Sequence, residues 1–185
     1  MNPYLIALDF PPVIKSQLKS ICYGLPTVEW VEEENFHLLL RYLGKIPEPS
    51  LGLVKEALQT ISFLSFKISL QGVDHFHAKK GQGTLWTGVK PIEALNSLKK
   101  DVDKVLKNLE VAPIERSFHP HVTLGRYDQI DHRRLGEFLM MNSLFRSESI
   151  EITNFHLFSM HETPKRVILQ KVETYEALPP DVYKD

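Results

Sequence analysis

Two histidines head short segments of similar pattern, Phe36-His37-Leu38-Leu39-Leu40-Arg41 and Pro120-His121-Val122-Thr123-Leu124-Gly125-Arg126. In an extended strand, residues two apart share a face. His121 and Thr123 therefore face one way and Val122 and Leu124 the other. By the same rule His37, Leu39 and Arg41 share a face, with Leu38 and Leu40 turned to the core. An imidazole exchanges protons near neutral pH. A hydroxyl and a nearby guanidinium hold the non-bridging oxygens of a phosphate, where negative charge accumulates. Two such histidines facing each other can divide the work of cleaving a phosphodiester. One takes a proton from water, and the other gives one to the leaving oxygen. A single histidine on such a strand is more often an ordinary strand residue. The repeat of the pattern raises the functional reading, and the two copies lie just under half the chain apart, which hints at two related halves.

The remaining pattern supplies elements to carry these segments. Strands are expected over 4–10, 35–43, 66–73, 84–89, 121–126, 150–159 and 166–174, from runs of alternating or continuous apolar residues. Helices are expected over 13–23 (Ile14, Leu18, Ile21), 49–61 (Leu51, Val54, Leu58), 91–109 (Leu95, Leu98, Val102, Val105, Leu109) and 133–141. Pro91 suits the first turn of the third helix. Lys79-Lys80-Gly81-Gln82-Gly83 reads as a turn. Strand-rich stretches with middling helices predict an α+β fold, with helices packed on antiparallel sheets. Residues 178–185 are expected to form a loose tail.

The 185 residues suffice for one domain with a real core, and 43% apolar with 24% charged residues is ordinary for a globular protein. The single cysteine, Cys22, excludes an internal disulfide and suits a reducing compartment. The apolar run near the N-terminus is too short for a signal peptide or a membrane span, so a cytoplasmic protein is expected. A net charge of −1 argues against gripping long or duplex nucleic acid through many phosphates. It leaves room for a site that binds one or two.

The stretch Phe118-His119-Pro120-His121-Val122-Thr123-Leu124-Gly125-Arg126 resembles the second signature of the 2H phosphoesterases. Within them it is most similar to the bacterial RNA 2′,3′-cyclic phosphodiesterases, also called 2′-5′ RNA ligases. Glu34-Asn35-Phe36-His37-Leu38-Leu39-Leu40-Arg41-Tyr42-Leu43-Gly44 resembles the first signature. Ile6 to Pro11, Leu85 to Val89 and Ile152 to Ser159 match in kind and order, so the resemblance covers nearly the whole chain. It implies one bilobal domain over 1–185. Its two pseudosymmetric lobes would each be an antiparallel sheet with helices on the outer face, and the active-site cleft would lie between them. It implies hydrolysis of RNA 2′,3′-cyclic phosphate ends to 2′-phosphates, with no cofactor and no metal. His37 would be the proton donor to the leaving ribose oxygen and His121 the acceptor that activates water. Thr123 and Arg126 would hold the phosphate. Arg126 lies at odd parity to His121, so the strand must end or bulge for it to reach the cleft. The chain departs from the family pattern in two places. Leu39 stands where the first motif has a threonine, which removes one of two anchoring hydroxyls; Arg41 is its candidate substitute. The stretch 159–167 lacks the Gly-Pro-x-Tyr element that often precedes the last strand.

Other residues have plainer readings. His75 and His77, with His119 and His121, lack the further ligands that would complete a zinc set. Tyr42 is a candidate base-stacking residue and Trp86 another, although each sits in an apolar strand pattern that suits core packing. No glycine-rich phosphate loop is present. The expected partners are RNA ends or nucleotides bearing a cyclic phosphate, bound by a monomer. Two other activities remain open: 2′-5′ ligation or cleavage of a small cyclic nucleotide at the same site, and non-catalytic binding of RNA ends, which Leu39 motivates.

Overall fold

A computed structural model describes residues 1–114 and 117–180. Its strands are β1 (Pro3–Leu8), β2 (Glu29–Trp30), β3 (Leu38–Lys45), β4 (Phe66–His77), β5 (Gly83–Lys90), β6 (His121–Tyr127), β7 (Ile150–Ile152), β8 (Asn154–Glu162) and β9 (Val167–Glu176). Its helices are α1 (Pro12–Ile21), α2 (Glu48–Gln59), α3 (Glu93–Val105) and α4 (His132–Met141). The strands hydrogen-bond in the order β7-β4-β5-β6-β3-β1-β8-β9, all antiparallel, with β2 added on β6. The central pair is β6 and β3, flanked by three strands on either side. The segments β1-α1-β3-α2 and β5-α3-β6-α4 occupy equivalent places about that centre. This is the α+β, two-lobed architecture that the sequence predicts.

Each helix turns an apolar stripe to the sheet, among them Ile14 and Leu18, Leu51, Val54 and Leu58, Leu95, Leu98 and Val102, and Leu135 and Phe138. These side chains form one core with Ile6, Leu8, Leu38, Leu40, Val122 and Leu124 from the sheet. A smaller apolar cluster, Leu5, Ala7 and Phe158 with Leu39, Met160 and Leu169 against it, lies on the opposite sheet face. That face carries the cleft.

The observed elements differ from the pattern in instructive places. The strand expected over 150–159 is two strands. β7 pairs with β4 in one lobe, and β8 pairs with β1 and β9 in the other, so the chain changes lobes at Thr153. The strand expected from 35 starts at Leu38, because Glu33–Asn35 form a 3-10 turn. The third helix ends at Val105, and 106–111 continue as turns held by Leu106, which is fully buried. Leu178 is tied down rather than loose, since its N–H donates to the Phe63 carbonyl at 2.9 Å. The rest of the expected tail, from 181 onward, lies outside the described residues.

Candidate active site

The centre of the sheet brings the two histidine segments side by side. Leu38 pairs with Val122 in antiparallel register. One residue to either side, His37 lies across from Thr123 and Leu39 across from His121. All four side chains project from the cleft face, since Leu38 and Val122 are fully buried on the other. The two histidines occupy one diagonal of this four-residue patch, and Thr123 and Leu39 occupy the other. Diagonal neighbours across an antiparallel pair stand roughly 7–8 Å apart, a span that a phosphate group can bridge.

Each imidazole is held in one orientation. His37 Nδ1 is 2.7 Å from the carbonyl oxygen of Asn35, and His121 Nδ1 is hydrogen-bonded to the carbonyl oxygen of His119. A carbonyl can only accept, so Nδ1 carries the proton in both rings and Nε2 is the nitrogen that exchanges a proton with a ligand. Asn35 is buried in the 3-10 turn before β3, where its side chain donates to the Val167 carbonyl at 2.7 Å. His121 also meets Phe76 and Trp86 edge-on, at 5.2 and 5.7 Å between ring centroids. Phe76 and Trp86 are themselves stacked at 4.8 Å. These positioning groups escape a reading of motifs. The sequence carries no signal for the two carbonyls, because every residue has one and only the local backbone path aims these two at the rings.

A bulge delivers Arg126 to the cleft face. Trp86 pairs with Thr123 but Leu85 pairs with Gly125, so β6 carries an extra residue and its alternation flips. Beyond the bulge Arg126 is exposed and Tyr127 buried. Gly125 is needed where β2 crosses. A Cβ there would lie 2.6 Å from Val28 Cγ1 and 3.0 Å from the Glu29 carbonyl oxygen. Burial, and then repulsion from the Arg126 guanidinium, hold the His37 imidazolium below its ordinary pKa against the opposing pull of the Asn35 carbonyl and Asp9. Asp9 itself is raised by burial, but hydrogen bonds from Lys15 and Lys171 and from the Phe10 N–H overcome that and keep it ionised. Both lysine ammoniums sit 2.8 Å from its carboxylate.

β3 carries a matching bulge. Ala7 pairs with Leu39 but Ile6 with Arg41, so Arg41 falls in register with a core residue. The expected face shared by His37, Leu39 and Arg41 therefore breaks after Leu39. Arg41 is 6% exposed, and its guanidinium is bound to Asp103 of α3 at 2.7 Å and to the Ala112 carbonyl at 2.9 Å. Tyr42, 41% exposed, takes the place in β3 that Arg126 takes in β6.

Two grooves flank the patch. One, of about 400 Å³, is lined by His37, Asp9, Phe158, Leu169 and Lys171. The other, of about 220 Å³, is lined by His121, Leu39, Arg41, Tyr42, Phe76 and Lys99. His75, His77 and His132 form a separate chain of rings 5.8 and 5.9 Å apart. Among the described residues no group of three or more His, Cys, Asp or Glu side chains is arranged to hold a metal ion. No helix among them is long and apolar enough to cross a membrane.

The chain is similar to known proteins in sequence and in fold. The family model of the 2′-5′ RNA ligase superfamily matches residues 24–164. An RNA 2′,3′-cyclic phosphodiesterase of Archaeoglobus fulgidus is 31% identical over 177 residues, 92% of this chain and 98% of the relative. One from Aeropyrum pernix is 36% identical over 104 residues, 56% of this chain and 58% of the relative. The crystal structure of E. coli LigT complexed with 3′-AMP superposes with a TM-score of 0.79 over 96% of this chain and 99% of that one, at 18% identity. That last likeness speaks to the fold.

Proposed function

The chain belongs to the 2′-5′ RNA ligase superfamily, and from that premise we propose that it hydrolyses RNA 2′,3′-cyclic phosphate ends to 2′-phosphates without a metal ion. The observation that carries this reading is the diagonal pair of imidazoles on one sheet face, each with Nδ1 tied to a backbone carbonyl. A phosphorus atom between them has one Nε2 on either side, as in-line displacement requires. His121 takes a proton from water as the water oxygen bonds to phosphorus. The bond from phosphorus to the 3′ oxygen breaks, and His37 gives its proton to that oxygen. Thr123 and Arg126 hold the charge that gathers on the non-bridging oxygens. Free His37 is a poor acid bearer, because burial and Arg126 favour its neutral form. An anionic diester opposes the Arg126 repulsion and raises the proton affinity of His37, so the acid is made when the substrate arrives. Tyr42, on the rim of the His121 groove, offers an exposed ring to a base.

The test is a substrate panel in EDTA: oligoribonucleotides ending in a 2′,3′-cyclic phosphate, 2′,3′-cyclic and 3′,5′-cyclic mononucleotides, and 2′-5′-linked dinucleotides. Conversion of the cyclic-phosphate ends to 2′-phosphates is expected. Tight binding of a 2′-phosphate nucleotide with no turnover of any member would replace the enzyme reading with a binding one.

A further inference from the structure

The patch of four side chains is symmetric in backbone and asymmetric in chemistry. An in-line reaction sets the attacking and leaving oxygens along the His37–His121 diagonal. The two non-bridging oxygens then lie across it, along the Thr123–Leu39 diagonal. One of them meets the Thr123 hydroxyl, with the Arg126 guanidinium beyond it on the same strand. The other meets Leu39, whose side chain rests on the apolar cluster of Leu5, Ala7 and Phe158 and lines the same groove as His121. Arg41 commits Nη1 to Asp103 and Nη2 to the Ala112 carbonyl, and the bulge in β3 takes it out of register with Leu39. It therefore does not stand where the missing hydroxyl would, although its Nε is left without a partner among the described residues in the same groove.

We infer that Leu39 makes this site read the two non-bridging oxygens of its substrate differently, so that sulfur in place of oxygen is tolerated on the Leu39 side and penalised on the Thr123 side. The inference rests on the phosphodiesterase reading of the site. Sulfur is larger than oxygen, accepts hydrogen bonds poorly and is at ease against apolar carbon. It therefore disrupts a contact to a hydroxyl and a guanidinium but sits well against a leucine.

The experiment uses the two separated diastereomers of a 2′,3′-cyclic phosphorothioate, with the all-oxygen compound as reference, in EDTA. One diastereomer should be cleaved nearly as fast as the reference and the other about tenfold more slowly or worse, since one charge-assisted hydrogen bond is at stake. Leu39→Thr should slow the tolerated diastereomer relative to the reference and bring the two within about threefold. Leu39→Val, which stays apolar, should keep the preference. Thr123→Val tests the other side without relying on Leu39→Thr to fold, and should relieve the penalty on the slow diastereomer. Equal rates for the two diastereomers in the wild type, or a folded Leu39→Thr protein with an unchanged ratio, would overturn the inference while leaving the phosphodiesterase reading intact. No cleavage of the all-oxygen compound would instead remove the reading beneath it.

Discussion

A carbonyl oxygen two residues upstream selects the working nitrogen of each histidine, so the chemistry of His37 and His121 depends on backbone as much as on side chain. The environments of the two rings then differ. His37 is pushed toward its neutral form by burial and by Arg126. Its imidazole should therefore titrate below its ordinary value of about 6.5 in the free protein. Arg126→Met removes a nearby positive charge and should move that midpoint up. Titration of the imidazole signals by NMR checks both; a midpoint above the ordinary value, or one insensitive to Arg126, would contradict the account. Leu39→Thr should raise kcat on cyclic-phosphate RNA by about fivefold, the value of one hydrogen bond of about 1 kcal/mol. The change also loses apolar contact with Leu5, Ala7 and Phe158, so a lower Tm should accompany the faster enzyme. The two histidines and Thr123 were legible as residue types at strand spacing, and the missing hydroxyl at Leu39 through the resemblance to the family's first motif. The Asn35 and His119 carbonyls were not, because a motif records side chains and these contacts are made by the main chain.

The bulges in β3 and β6 decide which residues belong to the cleft. Strict alternation would set Arg41 on the cleft face and Arg126 off it. The extra residue in each strand reverses both, leaving Arg41 buried against Asp103 and Arg126 exposed. The need for a bulge at Arg126 could be argued from its parity once the family resemblance had placed it in the cleft. The bulge in β3 could not, since Leu38-Leu39-Leu40 reads as a continuous apolar run in which an added residue leaves no trace. Arg41 braces α3 and the segment leading to His119. Arg41→Ala should thus destabilise the protein by up to about 3 kcal/mol in chemical denaturation, with Lys99 as the ion-pair partner left to Asp103 among the described residues. Gly125→Ala should force β2 away from β6, because the new methyl meets Val28 and the Glu29 carbonyl. A weakened KM together with lost stability is expected, and an unchanged KM would mean that the bulge does not set Arg126.

The chain builds its two lobes by exchange. The lobe begun by β1 and β3 is completed by β8 and β9 from the far end of the sequence, after β7 has closed the other lobe. The internal echo of the histidine segments indicated two related halves, but not that the halves trade strands. That fact lies in which strands pair, and a single run over 150–159 conceals the change of partner at Thr153. Deleting residues 154–185 should therefore abolish folding of the whole sheet, seen as lost cooperative unfolding, rather than leave an active core. The same topology carries the proposed function, because the β3–β6 seam is what sets the His37 and His121 segments side by side. The most direct test of that claim is single-turnover hydrolysis of a 2′,3′-cyclic phosphate oligoribonucleotide in EDTA by the wild type, His37→Ala and His121→Ala, each verified as folded. The account predicts a 2′-phosphate product from the wild type and a loss of at least about 10²-fold in either variant. Full activity in both variants would contradict it.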